Sequence, residues 1–170
     1  MKSSFKLVEM TKKKYNFEFE EYSSVEELSD SDASLLEEAR TLTSSAYAPY
    51  SKFKVAAVAL LESGEWMKGT NQENASYPVG ICAERTVLST VGTLYPDMPI
   101  KTMAISYDNN GNDHHPISPC GMCRQALQEY EERSGQPIRL ILSGQDGPVY
   151  IIETAGHLLP LAFSGNELRK

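Results

Sequence analysis

The chain has 170 residues, of which 41% are hydrophobic, and it carries a formal net charge of −7 at pH 7. This length fits one domain with a hydrophobic core, and the acidic balance argues against a nucleic-acid polymer as partner, because phosphate backbones are bound by basic surfaces. The sequence contains neither an apolar run near the roughly 20 residues of a membrane span nor a signal-peptide pattern at its N-terminus, so we expect no membrane partner and a reducing, cytoplasmic location.

The first part of the chain differs from the remainder. Residues 1–31 contain three consecutive lysines at 12–14, which are followed by alternating aromatic and polar residues over 15–20. Alternation with a period of two indicates a half-buried strand, although a loosely ordered arm accounts for the pattern equally well. We therefore divide the chain into an N-terminal extension, residues 1–31, and one domain, residues 32–170.

Helix patterns and strand patterns alternate along that domain. Strands that alternate with helices predict an α/β fold, in which a sheet carries helices on both faces. In chain order the predicted elements are a helix over 32–46, strands over 55–61 and 65–71, a helix over 81–94, a strand over 100–107, a helix over 120–133, strands over 138–143 and 149–152, and a short helix around 154–159.

Three cysteines fall at two of the predicted helix starts. Cys120 and Cys123 form a C-x-x-C motif, and Cys82 precedes them by 38 positions. The unpaired N–H groups and partial positive charge of a helix N-terminus favour the thiolate, which is the form that binds zinc. Three interpretations are open: a redox pair with Cys82 unrelated to it, a structural zinc site closed by His114 or His115, and a catalytic zinc site with an open position.

Glu84 favours the catalytic interpretation. It lies in the first turn of the helix that follows Cys82, in register with the apolar residues Val87 and Val91. A carboxylate on an apolar helix face is unusual, and burial there favours its protonated form. A group beside a metal that exchanges a proton near neutral pH suits a general acid and base. The alternative is a surface glutamate that stabilises the helix N-terminus.

The segments Cys82-Ala-Glu84 and Pro119-Cys120-Gly-Met-Cys123 resemble the zinc signature of the cytidine deaminases, a pattern already described for zinc deaminases in general. The small homotetrameric members of that family are also similar in the blocks 46–53, 71–77, 81–86, 118–125 and 158–163. The resemblance implies a three-layer α/β fold with a five-stranded mixed sheet flanked by helices. It further implies one Zn²⁺ per subunit and four active sites at the interfaces of a homotetramer.

The resemblance also implies roles at the metal. Cys82, Cys120 and Cys123 would hold the zinc, and Glu84 would move the protons. Arg85 would offset the charge of the thiolates, and its alternative is a surface charge on a helix.

For the substrate, the resemblance implies that Asn71 and Glu73 bind the ribose hydroxyls, that Phe53 packs against the nucleoside, and that Phe163 faces a base from an adjacent subunit. Further pocket contacts would come from Ala75 and Tyr77 across the interface and from the backbone of Ala83 and Ser118. The alternatives are turn-capping roles for the two polar residues and core roles for the two phenylalanines.

The implied function of the domain over 32–170 is the hydrolytic deamination of cytidine and deoxycytidine to uridine and deoxyuridine with release of ammonia, a step of pyrimidine salvage. The expected partners are a small nucleoside and further copies of the chain. The alternatives are a deaminase of blasticidin-type nucleoside antibiotics and a zinc- or nucleoside-binding protein without activity. The segment Asn71-Gln-Glu73 and the block 46–53 favour cytidine.

Overall fold

A mixed β-sheet forms the centre of the protein. The structure, a computed structural model, describes residues 10–111 and 114–168. In these ranges the strands follow the order β1-β6-β5-β4-β2-β3, and only the β4–β5 pair is parallel. The strands are β1 (Glu20–Tyr22), β2 (Lys54–Leu61), β3 (Trp66–Thr70), β4 (Ile100–Asp108), β5 (Arg139–Ser143) and β6 (Val149–Ile152).

Helices cover both faces of this sheet, which gives three layers. Helix α1 (Asp30–Leu42) packs on one face, and helices α2 (Ala83–Leu94) and α3 (Gly121–Ser134) pack on the other. Successive side chains of a strand point to opposite faces, so in β2 Ala57 faces α2 and α3 while Val58 faces α1. The predicted α/β fold is confirmed. The helices of the described ranges are all too short or too polar to cross a bilayer.

The sheet contains one strand more than the five that were expected. The additional strand, β1, comes from the N-terminal extension and pairs antiparallel with β6, with Glu20 opposite Ile151 and Tyr22 opposite Val149. Without it, β6 would be an edge strand with unpaired backbone N–H and C=O groups. The physical reason for the sixth strand is therefore that the extension supplies hydrogen-bond partners to this edge.

Residues 10–19, which precede β1, have no regular secondary structure and contact the domain through their side chains. The Tyr15 hydroxyl donates a hydrogen bond to the His157 carbonyl at 2.8 Å, and the Phe19 ring lies 4.8 Å from the Tyr150 ring. The alternating segment 15–20 thus contacts the domain mainly through aromatic side chains. Residues 1–9 of the extension lie outside the described residues.

A buried carboxylate fixes the C-terminal end of α3 to the chain that follows. The Glu131 carboxylate accepts hydrogen bonds from the backbone N–H groups of Ile138 at 2.7 Å, Ala155 at 3.0 Å and Gly156 at 3.0 Å. Burial raises the pKa of Glu131, and the three N–H groups act against that rise. The last predicted helix is a 3₁₀ turn over Ala155–Leu158, and Glu131 accepts hydrogen bonds from the first two N–H groups of this turn.

Candidate active site

Two helix starts bring three sulfur atoms together. Cys82 is the N-cap of α2, Cys120 is the N-cap of α3, and Cys123 lies in the first turn of α3. The Sγ atom of Cys120 lies 3.8 Å from that of Cys82 and 3.5 Å from that of Cys123. Tetrahedral zinc with Zn–S bonds of about 2.3 Å places its sulfur ligands about 3.8 Å apart. The cluster therefore has the spacing that one zinc ion requires.

The two histidines considered as a fourth ligand do not join this cluster. The His114 ring is paired with the carboxylate of Asp146, and the His115 ring meets the Tyr150 ring edge-on at 5.8 Å between centroids. The potential metal ligands that converge in the described residues are Cys82, Cys120 and Cys123. Three protein ligands leave one position of a tetrahedral ion open, which is the arrangement of a catalytic site.

Within the sulfur cluster, Cys82 is the thiol that ionises most readily. A hydrogen bond from the Cys123 thiol lowers the pKa of Cys82 to about 6. Hydrogen bonding to Cys82 together with burial raises the pKa of Cys123. The positive charge of Arg85 contributes to lowering the pKa of Cys82. A thiolate is thus formed readily at Cys82, and a soft cation is the natural partner of a group of thiolates.

Glu84 is buried beside the sulfur atoms. Its side chain is 4% exposed, although it lies in the first turn of α2, where acidic residues are usually solvated. Burial raises its pKa, and a hydrogen bond with the Cys123 thiol acts in the opposite direction. The interpretation of Glu84 as a surface residue is therefore wrong. A buried carboxyl group with increased proton affinity suits an acid–base role.

A cavity of about 710 Å³ opens next to the cluster. Cys82, Glu84 and Cys120 form one part of its wall, and its volume lies in the range of about 300–1,000 Å³ that is usual for small-molecule sites. The predicted substrate-binding residues that line the cavity are Phe53, Asn71, Glu73, Tyr77 and Ser118. Eight of the predicted site residues are therefore brought together around one space of suitable size.

Five predicted residues lie outside the cavity wall, and one of them is Cys123, which is fully buried at the sulfur cluster. Ala83 is fully buried at the start of α2, and Arg85 is half-buried on the same helix. Ala75 is exposed. Phe163 is 57% exposed, and its carbonyl accepts a hydrogen bond from Gln125 at 2.8 Å. Ala75 and Phe163 were expected to act across a subunit interface, which a single chain does not contain.

Asn71 and Glu73 have structural partners as well as access to the cavity. The Asn71 amide accepts a hydrogen bond from the Val55 N–H at 2.8 Å and donates one to the Phe53 carbonyl at 2.9 Å. The Glu73 carboxylate accepts from the Ser51 hydroxyl and from the Tyr50 N–H at 2.8 Å. The Ser51 hydroxyl is the main cause that holds the pKa of Glu73 below its usual value. Since an ionised carboxylate has about four acceptor sites, Glu73 keeps capacity for a ligand hydroxyl.

Tyr107 is a cavity residue that the sequence reasoning missed. It lines the cavity, and its ring is stacked on that of Phe53 at 5.2 Å between centroids with 14° between the planes. Tyr107 follows Ile105 at the alternate position of β4 and therefore shares its sheet face. That alternation was the signal that could have found it. Tyr50 also lines the cavity and was not among the predicted site residues.

Comparisons with known proteins agree with this geometry. Residues 29–134 match the family model described as the cytidine and deoxycytidylate deaminase zinc-binding region. The chain is 34% identical to a cytidine deaminase of Halalkalibacterium halodurans, over 79% of this chain and 95% of the relative, and 36% identical to one of Sporosarcina psychrophila, over 79% and 92%. The crystal structure of a cytidine deaminase from Burkholderia pseudomallei is similar with a TM-score of 0.67 and 37% identity, over 76% of this chain and 97% of that one.

Proposed function

Because the chain belongs to the cytidine and deoxycytidylate deaminase family, we propose that it catalyses the zinc-dependent hydrolytic deamination of cytidine and deoxycytidine. Water is consumed, and the products are uridine or deoxyuridine and ammonia. The observation that carries the proposal is the buried Glu84 beside three converging cysteines, with Glu84, Cys82 and Cys120 at the wall of a cavity large enough for a small molecule. A zinc- or nucleoside-binding protein without activity would have no use for a buried acid–base group there.

The proposed mechanism divides the chemistry between the metal and Glu84. Cys82, Cys120 and Cys123 would hold the zinc, which would supply the Lewis acidity that makes water a nucleophile near neutral pH. Glu84 accepts one proton from the water that attacks C4 of the cytosine ring and delivers it to N3. As the C4 carbonyl forms, the remaining proton of the attacking oxygen passes through Glu84 to the amino group, which leaves as ammonia. The raised pKa of Glu84 suits both steps, because an acid–base group works best when its pKa is near the working pH.

Charge balance at the metal gives Arg85 its proposed role. Three thiolates and one Zn²⁺ sum to a formal charge of −1, from 2 − 3, and this excess weakens the zinc as a Lewis acid. The Arg85 charge acts on Cys82, and both α2 and α3 direct their N-termini at the cluster. Positive charge and helix dipoles at this position offset part of the excess.

The remaining cavity residues are proposed to bind the nucleoside. Asn71 and Glu73 bind the ribose hydroxyls, and Phe53 packs against the nucleoside. The other proposed contacts are the backbone of Ala83 and Ser118 at the base, and Ala75, Tyr77 and Phe163 at sites shared between subunits. A site that is built to bind a hydroxyl discriminates strongly against ligands that lack it, because a bound ligand without the hydroxyl leaves the polar atoms of the site unpaired.

Comparison of cytidine with free cytosine tests these ribose contacts. We expect the absorbance change of deamination with cytidine and deoxycytidine, and a kcat/KM for cytosine lower by about 10⁴-fold or more. Glu73→Gln should lower kcat/KM for cytidine by about 10–100-fold, the usual effect of losing a hydrogen bond to a charged group, and leave cytosine unchanged. Equal losses for both substrates would contradict the ribose role, and the absence of turnover with every cytosine nucleoside would refute the function.

We also propose that the protein is a cytoplasmic homotetramer with shared active sites. Tyr77, at the cavity, is 77% exposed, and Phe163 is 57% exposed. Exposed apolar side chains beside a ligand site often mark an interface. Three unbridged cysteines agree with a reducing compartment. The expected mass in solution is four times the chain mass of 18.9 kDa, and light scattering that finds a monomer would refute the shared site.

The proposed division of the chain is an extension over 1–31 and a deaminase domain over 32–170. Two cytidine deaminases match over 79% of this chain while 92–95% of their own length is covered. The matched length of 134 residues is close to the length of the proposed domain, which supports the division. The extension adds β1 to the sheet.

A further inference from the structure

Phe53 lies just outside the sheet, so strand pairing does not fix its side chain. Phe53 directly precedes β2, and its backbone is fixed by the Ser51 hydroxyl at 3.0 Å and by Asn71 at 2.9 Å. These hydrogen bonds fix the backbone of Phe53 and do not involve its ring. The side chain that packs flat against the Phe53 ring is Tyr107, at 5.2 Å and 14°.

Tyr107 is itself rigidly held. It pairs with Val55 in the β2–β4 ladder, it is only 3% exposed, and its hydroxyl donates a hydrogen bond to the His115 carbonyl at 2.8 Å. Strand pairing and burial are sufficient to fix the plane of the ring, and the hydroxyl bond agrees with that orientation. Since the two rings are nearly parallel, the plane of Tyr107 determines the plane of Phe53.

We propose that Tyr107 is a positioning residue for nucleoside binding, which acts by holding the Phe53 ring in the orientation that packs against the substrate. This inference rests on the proposed function and on the packing role of Phe53 within it. A ring that is already oriented loses little conformational freedom when the ligand binds. Loss of the stack should therefore weaken binding, which raises KM, and should leave the proton transfers by Glu84, and thus kcat, nearly unchanged.

Four variants test the proposal: Tyr107→Leu, Tyr107→Phe, Phe53→Leu and the double variant Phe53→Leu/Tyr107→Leu. Tyr107→Leu should raise KM for cytidine about three- to tenfold, the size expected for loss of an aromatic pair, with kcat and zinc content unchanged. Tyr107→Phe keeps the ring and should keep KM. In a protein that already carries Phe53→Leu, the further change Tyr107→Leu should raise KM very little, because residues that act as one unit give non-additive effects. The dissociation constant of uridine, measured by calorimetry, should follow KM.

Tyr130→Leu is a matched control. Tyr130 is 4% exposed, and its hydroxyl donates to the Met98 carbonyl at 2.7 Å, but it lies outside the cavity wall. This variant should lower the melting temperature about as much as Tyr107→Leu and leave KM unchanged. If Tyr107→Leu does not fold, Tyr107→Met fills more of the space without a flat ring and replaces it.

Three outcomes would overturn the proposal. They are an unchanged KM in folded Tyr107→Leu, fully additive effects in the double variant, and an equal rise in KM for Tyr107→Phe, which would assign the effect to the hydroxyl. The wild-type protein is assayed first with cytidine. Absence of turnover there would refute the proposed function, whereas additivity in an active enzyme would refute only the role of Tyr107.

Discussion

Replacing Glu84 by glutamine is expected to lower kcat for cytidine by about 10²–10⁴-fold, the usual loss when a general acid and base is removed. Glutamine has almost the same size as glutamate, so the packing at the start of α2 is preserved. The fold and the zinc content should therefore remain those of the wild type, while the amide can neither accept the proton of water nor release one to the amino group. The measurement is the initial rate of absorbance change at saturating cytidine, together with metal analysis and melting temperature.

The same substitution at Glu131 is the matched control. Glu131 is also buried, at 9% exposure, but its carboxylate binds three backbone N–H groups at the C-terminal end of α3 instead of facing the cavity. Glu131→Gln should lower the melting temperature and keep kcat. A Glu84→Gln enzyme with kcat within about tenfold of the wild type would rule out the proposed mechanism, since the expected loss is larger.

Each single replacement of Cys82, Cys120 or Cys123 by serine is expected to abolish stable zinc binding and, with it, deamination. Loss of an outer partner of a metal ligand already costs about 10–100-fold in metal affinity or activity, and loss of a ligand itself should cost more. The three sulfur atoms lie within 4.8 Å of one another, and they form the group of potential metal ligands in the described residues. Another side chain could take the place of a lost ligand only if a helix start moved. Metal analysis after gel filtration measures the bound zinc.

Thiol titration gives a second measurement of the same site. The chain has only three cysteines, so every thiol that reacts belongs to the cluster. The purified protein should react slowly, and a chelator should release three reactive thiols with loss of activity. Ser63→Cys is a control, because this exposed position between β2 and β3 adds a thiol outside the cluster that should react at once. Three fast thiols in an active, untreated wild type would contradict the zinc site.

The extent of most helices and strands could be predicted because their signals are local. Turn residues at 62–64 separate β2 from β3, and the alternation of apolar patterns defined the remaining elements. The first helix was predicted to reach residue 46, but α1 ends at Leu42. The Thr43 hydroxyl donates to the Arg40 carbonyl at 2.7 Å, and a 3₁₀ turn follows over Thr43–Ser45. Such side-chain hydrogen bonds compete with helix continuation, and the apolar pattern does not contain them.

The candidate site was predictable where its chemistry depends on spacing within one helix. Cys82 and Glu84 share a helix start, so their proximity could be expected from the sequence. The position of Tyr107 beneath Phe53 depends on the pairing of β2 with β4 and on a ring contact between residues 54 positions apart. The double duty of Asn71, which holds the backbone at Phe53 and also lines the cavity, likewise follows from the folded geometry and not from a motif.

The short strand β1 has a consequence for the behaviour of the protein at high concentration. It covers β6, and the new edge that it presents is only three residues long and carries Glu20 and Glu21. Short edges with charged residues are poor templates for strand addition by another molecule. A shortened chain that lacks β1 would expose the backbone edge of β6, Val149–Ile152. This apolar segment is of the kind that initiates aggregation. We therefore expect removal of the extension to lower the solubility of the protein, because the edge of β6 would then be exposed.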